Sequence, residues 1–354
     1  MTNSTVQVGI VGGSGYSGGE LLRLLLGHPR ARIAWVTSRG DKSLEGIHRN
    51  LLGAGLRFIR EEEAGPCDVV FLCTPSRESM TKAPRYLERG ARVVDIGSDF
   101  RLKDRALFER VYKAEHVCWD LVAEAPYGAT ELHRAAIQRA RLVANPGCFA
   151  YTAILAMAPL VKERLIELDK VVVDGLSGSS GAGAEPSVPT HHSEIGNSVF
   201  PYNVIDHRHS YEIEQELGGV AGAPVTVHFT PYYCAFTRGI LAGCHGFLTR
   251  RVSRADLLDL YQAFYRDEPF VRVLAFDKEP TASWQYMPYP SVANLAGSNF
   301  VHIGVDVDER RGRAAVFGAL DNLGKGAASS AIQNMNCMLG LPEDAGIAGV
   351  GLHP

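Results

Sequence analysis

The order of apolar runs predicts an α/β chain: a Rossmann-type, doubly wound nucleotide domain, followed by an α+β domain with a mainly antiparallel sheet. Three observations carry this expectation. Strand-like and helix-like runs alternate as far as residue 147. The first strand empties into a glycine-rich turn between Gly9 and Glu20. Beyond a helix at Cys148 the pattern changes to strands with few helices between them. A length of 354 residues is that of about two domains. The expected division is 1–147 with 323–354 for the nucleotide domain and 148–322 for a catalytic and substrate domain.

Composition narrows the function classes. With 46% hydrophobic and 21% charged residues, a net charge of −3 and no basic block, neither nucleic acid nor an anionic membrane is an expected partner. No apolar run approaches the ~20 residues of a spanning helix, and the start, Met-Thr-Asn-Ser-Thr, has no signal core. Seven cysteines, an odd number with no Cys-x-x-Cys pair, argue against a disulfide framework or a zinc ribbon. A cytoplasmic protein is expected.

The first strand, Val6 to Val11, leads through Gly12-Gly-Ser14-Gly15-Tyr16-Ser17-Gly-Gly into a helical run ending at Leu26. Glycines in a strand-to-helix turn let backbone approach a pyrophosphate, and the helix start faces the negative charge. The second strand, Ile33 to Thr37, ends in Ser38-Arg39, where a cofactor with a free ribose hydroxyl meets an acidic side chain. A hydroxyl and a guanidinium suit a 2′-phosphate instead, so the expected cofactor is NADP(H); the alternative is that Arg39 is a solvated loop charge. Val69 to Cys73 ends in Thr74-Pro75, at a strand end that lines the cofactor crevice of an open parallel sheet. Arg92 to Ile96 leads to Ser98-Asp99-Phe100-Arg101, a polar loop on the same edge. Arg101 either holds a substrate anion or anchors the loop through Asp99.

The run Leu142 to Ala144 enters Asn145-Pro146-Gly147-Cys148, ahead of a long apolar helix. That order puts the Cys148 sulfur on the first turn of a helix, where unpaired N–H groups and the dipole favour a thiolate. Cys148 is therefore the candidate nucleophile. A strand from Lys170 to Leu176 opens into the small-residue loop Ser177 to Gly183, with Ser179 and Gly181 as candidate cofactor contacts; a plain linker is the other reading. His191 and His192 read as loop histidines. His207-Arg208-His209 stands just ahead of a helix expected to start at Ser210. A cysteine enzyme needs an acid and base near working pH, which histidine supplies; a structural role or two zinc ligands are the alternatives, and no third ligand stands at metal spacing. Pro224 to Thr230 and Gly239 to Thr249 read as antiparallel strands, with Arg238 between them as a second candidate anion clamp after Arg101, and Arg208 as a further one. Strands at Val271 to Phe276, Val301 to Val307 and Ala314 to Leu320 follow. Asn322 and Lys325 then open a last helix that can pack back on the first domain and close the cofactor site, with Asn322 a candidate cofactor contact.

Together these motifs resemble the N-acetyl-γ-glutamyl-phosphate reductase family of arginine biosynthesis. The marks are Gly-Gly-Ser-Gly-Tyr-Ser-Gly-Gly-Glu-Leu at 12–21, Ser-Asp-Phe-Arg-Leu at 98–102 and Asn-Pro-Gly-Cys at 145–148, then Ser-Gly-Ser-Ser-Gly-Ala-Gly at 177–183, His-Arg-His at 207–209, Arg-Gly-Ile at 238–240 and Asp-Asn-Leu-Gly-Lys-Gly-Ala-Ala at 321–328. The resemblance implies NADPH-dependent reduction of an N-acyl-γ-glutamyl phosphate to its semialdehyde. It places the nucleophile on Cys148 and the acid/base histidine on His209 with His207 beside it, and it implies a homodimer or homotetramer and no metal. Ser98, Arg101, Asn145, Arg208 and Arg238 are then the substrate candidates. Tyr127-Gly-Ala-Thr-Glu131, Leu176, His209-Ser-Tyr-Glu-Ile213 and Pro231-Tyr-Tyr-Cys-Ala235 depart from the family pattern on the substrate side. The loop from Ala184 to Glu194 and the ending Gly-Leu-His-Pro are more similar to the branch whose glutamate or 2-aminoadipate rides on an amino-group carrier protein. An aminoadipyl phosphate reductase is thus one rival. A non-catalytic NADP-sensing regulator is another, against which the intact Cys148 and His209 stand.

Overall fold

A computed structural model describes residues 5–40, 42–275 and 288–352. In chain order the first half contains β1 (Val6–Val11), α1 (Tyr16–Leu26), β2 (Ala31–Thr37), α2 (Leu44–Ile47), β3 (Phe58–Ile59), β4 (Val69–Leu72), α3 (Ser79–Glu88), β5 (Arg92–Asp95), α4 (Arg105–Tyr112), α5 (Asp120–Glu124), α6 (Thr130–Arg139) and β6 (Leu142–Ala144). The second half runs α7 (Cys148–Lys162), β7 (Val171–Gly178), α8 (His192–Ile195), β8 (Val199–Pro201), α9 (Arg208–Ala221), β9 (Val227–Cys234), β10 (Ile240–Phe247), α10 (Arg254–Phe264), β11 (Val271–Val273), β12 (Val301–Asp308) and β13 (Arg313–Leu320). A π-helical turn, Gly324–Ala328, then precedes α11 (Ser329–Leu339).

The chain forms two compact units, residues 1–146 with 327–349 and residues 147–326 with 350–354. The tail thus differs from the expected division. Leu352 N–H donates to the Ala296 carbonyl at 3.0 Å, which ties residues 350–352 to the second unit. Phe276 of the strand expected over Val271–Phe276, and the final His353-Pro354, lie outside the described residues.

The first unit holds a six-stranded parallel sheet in the order β3-β2-β1-β4-β5-β6. Its central strands are buried on both faces, so β4 reads as an unbroken apolar run, and β1 over 8–11 and β5 over 93–95 are buried without alternation. The strand order reverses between β1 and β4, and the crevice beyond their carboxyl ends is where such sheets take ligands. α11 completes this unit by packing on α6, β5 and α1. It buries a polar stripe, Ser329, Ser330, Gln333, Asn334 and Asn336. Burial without partners costs about 1–3 kcal/mol per group. Here Asn334 Nδ2 donates to the Gly128 carbonyl and to Asn145 Oδ1, and its Oδ1 accepts from Thr130.

The second unit is built on a seven-stranded mixed sheet, β11-β12-β13-β10-β7-β9-β8, mainly antiparallel. β9 and β10 are not neighbours as their sequence order suggests: β7 lies between them, parallel to β9 and antiparallel to β10. Between β7 and β9 the chain runs through the 3-10 turn Ser179–Ala182, α8, β8 and α9, a crossover long enough for the two strands to pair in parallel. α7 is buried from Phe149 to Val161, as an all-round apolar helix must be, and lies on β10 and β13 beside α9. No described helix is long and apolar enough to cross a membrane.

Candidate active site

The glycine-rich turn in the first unit fits a pyrophosphate. Gly12 has φ +79°, and a β-carbon there would sit 2.5 Å from the Cys73 carbonyl, so only glycine serves. The end of β2 holds the turn: Gly13 N–H donates to the Thr37 carbonyl (2.9 Å) and Gly12 N–H to Thr37 Oγ1 (3.4 Å). Gly15 is the N-cap of α1 with nothing within 4 Å of its β position, and no side chain caps the helix. The first-turn N–H groups at Tyr16 and Ser17, with Ser14 ahead of them, are therefore left without a side-chain cap, an arrangement suited to an anion. Thr74 Oγ1, at the end of β4 beside Pro75, is buried without a hydrogen-bond partner among the described residues, which suits a contact to a bound nucleotide. Ser38 and Arg39 follow β2, and the exposed Arg39 guanidinium pairs with Glu78 at the start of α3. His48 is a residue the sequence did not single out. Its Nε2 donates to the Gly13 carbonyl at 2.8 Å, and Gly19 leaves room for its ring, where a β-carbon would meet Cε1 at 2.5 Å.

The polar loop after β5 is anchored from within. Ser98 Oγ donates to Ser76 Oγ (2.7 Å), and the Asp99 carboxylate accepts from the N–H groups of Arg77 (2.7 Å) and Met80 (3.0 Å), at the start of α3. Arg101 is buried and donates to the carbonyls of Asn145 (2.8 Å) and Ile96 (3.0 Å), so it positions the strand ends around the cysteine turn. Beneath lies Asp95, fully buried; burial, then the neighbouring Asp99, pushes its carboxyl up to about 7. Asn145, expected on the substrate side, is instead wholly buried. Its Nδ2 donates to the Ala327 carbonyl and its Oδ1 accepts from Ser330 and Asn334, because α11 needs polar partners for its buried stripe.

In the second unit Gly147 caps α7 and Cys148 is the first helical residue, half-buried. α9 starts two residues earlier than expected, at Arg208. The reason is that His207 serves as its N-cap, Nδ1 accepting from His209 N–H at 3.2 Å. His207 and His209 are both buried, their rings 4.8 Å apart, and each meets Phe149 edge-on at 6.1 and 5.9 Å. Burial, then the Arg208 charge, lowers the His207 pKa to about 4, so its imidazole is neutral at physiological pH. Glu212, one turn along α9 and fully buried, joins the two helix starts. Its Oε2 accepts from Gly147 N–H at 3.0 Å while Oε1 faces His209 Nε2 at 3.9 Å. The His-x-x-Glu spacing puts both on one helix face and is the signal that could have found it. Gly326 completes the centre: a β-carbon there would lie 2.8 Å from that of Cys148.

A second cluster surrounds Asp321, which is buried and takes both Arg238 Nε contacts at 2.8 Å. Arg238, expected as an open anion clamp, is thus committed to an internal carboxylate. Asn322, expected at the cofactor, accepts from Gly239 N–H (2.7 Å) and donates to Ser180 Oγ (3.0 Å), locking the Ser179–Ala182 turn that carries Ser179 and Gly181. Arg208 remains exposed at the first position of α9. His191 and His192 lie at the exposed start of α8.

Residues 7–140 match the family described as semialdehyde dehydrogenase, NAD binding domain, and residues 148–322 that described as semialdehyde dehydrogenase, dimerisation domain. Over 99% of both chains, the sequence is 42% identical to an N-acetyl-γ-glutamyl-phosphate reductase of Pelotomaculum thermopropionicum. It is also 42% identical, over 97% of this chain and 98% of the other, to an Ignicoccus hospitalis protein named for LysW-linked 2-aminoadipate and glutamate phosphate reductase. Among solved structures, aspartate semialdehyde dehydrogenase II of Vibrio cholerae shares the fold, with a TM-score of 0.72 and 16% identity over 95% of this chain and 99% of that one.

Proposed function

The chain belongs to the semialdehyde dehydrogenase family, and from that premise we propose that it is an NADPH-dependent reductase turning an N-acyl-γ-glutamyl phosphate into its semialdehyde through a cysteine thioester. The observation that carries this reading is Glu212, one carboxylate held between the Gly147 N–H at the cysteine turn and the imidazole of His209.

His209 takes the thiol proton of Cys148, and the resulting imidazolium rests beside the Glu212 carboxylate. The thiolate adds to the acyl phosphate carbonyl, and phosphate leaves with the bonding pair. Gly147 N–H is engaged by Glu212, so the next N–H groups of α7 are left to hold the oxyanion. Gly12, Ser14, Gly15, Tyr16, Ser17, Thr74 and Pro75 would hold NADPH, with Ser38 and Arg39 for its 2′-phosphate, and the bound cofactor would supply the hydride that reduces the thioester carbon. His209 returns its proton as the carbon–sulfur bond breaks and the aldehyde departs. His207, neutral, fixes the start of α9 and leaves His209 as the acid/base. Arg208 meets the substrate's charged end.

A second reading, in which the acyl group is joined to an acidic carrier protein, is favoured by the exposed segment 181–189, which is open to a protein-sized partner. The match to a dimerisation domain supports a homodimer or homotetramer, and seven free cysteines suit the cytoplasm. The test follows NADP reduction in phosphate buffer with N-acetylglutamate semialdehyde, its aminoadipate homologue and carrier-linked versions of each. Cys148→Ser lowers the rate with the true substrate at least ~10³-fold, since the nucleophile is gone. A serine variant of full activity would rule out the covalent route.

A further inference from the structure

β8 pairs with β9 so that Phe200 lies opposite Tyr233, and Tyr202 N–H, one residue past β8, donates to the Pro231 carbonyl at 3.1 Å. This register lays the Tyr202 ring flat on Tyr233, with centroids 4.0 Å apart and planes 7° from parallel. Aromatic pairs left to themselves prefer an offset or edge-on arrangement. Here the β8–β9 pairing holds the two rings face to face. Tyr202 also meets His207 edge-on at 5.6 Å. Both phenols lie within electrostatic reach of Cys148 and Arg208. Burial raises both pKa values, so each stays a neutral hydrogen-bonding group at any working pH.

A neutral phenol O–H donates to a carbonyl oxygen. Arg208 beside them is a cation on the first turn of a helix, the end where the dipole opposes positive charge. A guanidinium exposed at that place is a bidentate donor for a carboxylate. Building on the reductase reading above, we propose that the Tyr202–Tyr233 pair and Arg208 form the specificity site for the substrate end remote from the acyl phosphate, the phenol pair donating to the N-acyl amide carbonyl and Arg208 holding the α-carboxylate. The pair thereby decides whether an N-acylated chain is preferred to a bare one.

Tyr233→Phe keeps the ring and removes one hydroxyl. Calorimetric titration in the Cys148→Ser background uses N-acetylglutamate and glutarate, which differ by the acylamino group. The preference for N-acetylglutamate, as a ratio of Kd values, falls at least fivefold on adding Tyr233→Phe, and the ratio of kcat/KM for the matching semialdehydes falls alike in the enzyme with Cys148 intact. Equal losses on both ligands mean a merely structural pair, and an unchanged ratio, or no N-acetylglutamate binding before the tyrosine is changed, overturns the proposal. A shifted binding ratio without turnover of either aldehyde defeats the reductase reading and leaves the site standing. If Tyr233→Phe loses its cooperative unfolding transition, Tyr202→Phe carries the same test.

Discussion

At the scale of single residues the site is a set of side chains whose neighbours decide their charge. His207 is the clearest case, since burial and Arg208 hold its pKa at about 4 against 6.5 for a free imidazole. Between those values the unfolded chain binds a proton that the folded chain refuses, so this residue makes stability fall as pH drops from about 6.5 toward about 4. From pH 7 to pH 5 the loss through His207 is about 2 kcal/mol. His207→Asn retains a side chain able to cap α9 and cannot take up the proton. Urea denaturation at the two pH values should show the variant losing less stability than the parent by about that amount. Identical losses would show that His207 is charged, or free to become so, in the folded protein. Asp95 acts in the opposite sense. Its folded carboxyl is raised to about 7, so its contribution is present in acid and is lost as pH climbs through that value.

At the scale of elements, chemistry is concentrated where helices begin. α1 offers uncapped N–H groups, α7 presents Cys148, and α9 presents His209 behind an unusual histidine cap. The π-helical turn Gly324–Ala328 passes so close to α7 that only hydrogen fits at Gly326. Gly326→Ala should cost about 1–3 kcal/mol in overpacking. Because the strain falls on Cys148, kcat should drop at least ~10-fold, as small misplacements of reacting groups do. A variant of normal kcat and reduced melting temperature would show that the turn supports the fold and not the sulfur.

Local features were the legible ones. The glycine turn and the cysteine helix are spelled out by residues within a dozen positions of each other, and both stand where the sequence puts them. The start of α9 was misread by two positions because histidine is not among the usual caps. The burial of Asn145 is illegible for a different reason. A polar residue before Pro-Gly reads as exposed, and the groups that bury it, Ala327, Ser330 and Asn334, come some 180 residues later. Glu212 was visible as a spacing, yet its bond to Gly147 belongs to tertiary structure alone.

On the scale of the whole molecule, the first unit is made of two separated stretches, 1–146 and 327–349. α11 is no appendage to it, because its buried amides satisfy Gly128, Asn145 and Thr130. Residues 1–146 expressed alone should therefore lack a cooperative thermal transition. Joining them to 327–349 through a short glycine-serine linker should restore one, since Asn145 and Ala327 are in hydrogen-bond contact at 3.0 Å. Differential scanning calorimetry of the two fragments decides the matter; a sharp transition from 1–146 by itself would show α11 to be dispensable.

The discontinuity also sets an order of birth on the ribosome. The nucleotide sheet emerges first but must wait for a helix that lies about 200 residues downstream, a delay of roughly ten to forty seconds at ordinary elongation speeds. The middle of the chain is uninterrupted from 147 to 326 and is free to fold during that interval. The first unit is therefore completed only after residues 147–326 of the second have been made, and a nascent-chain chaperone would find its bare α11 groove open for the whole of that wait.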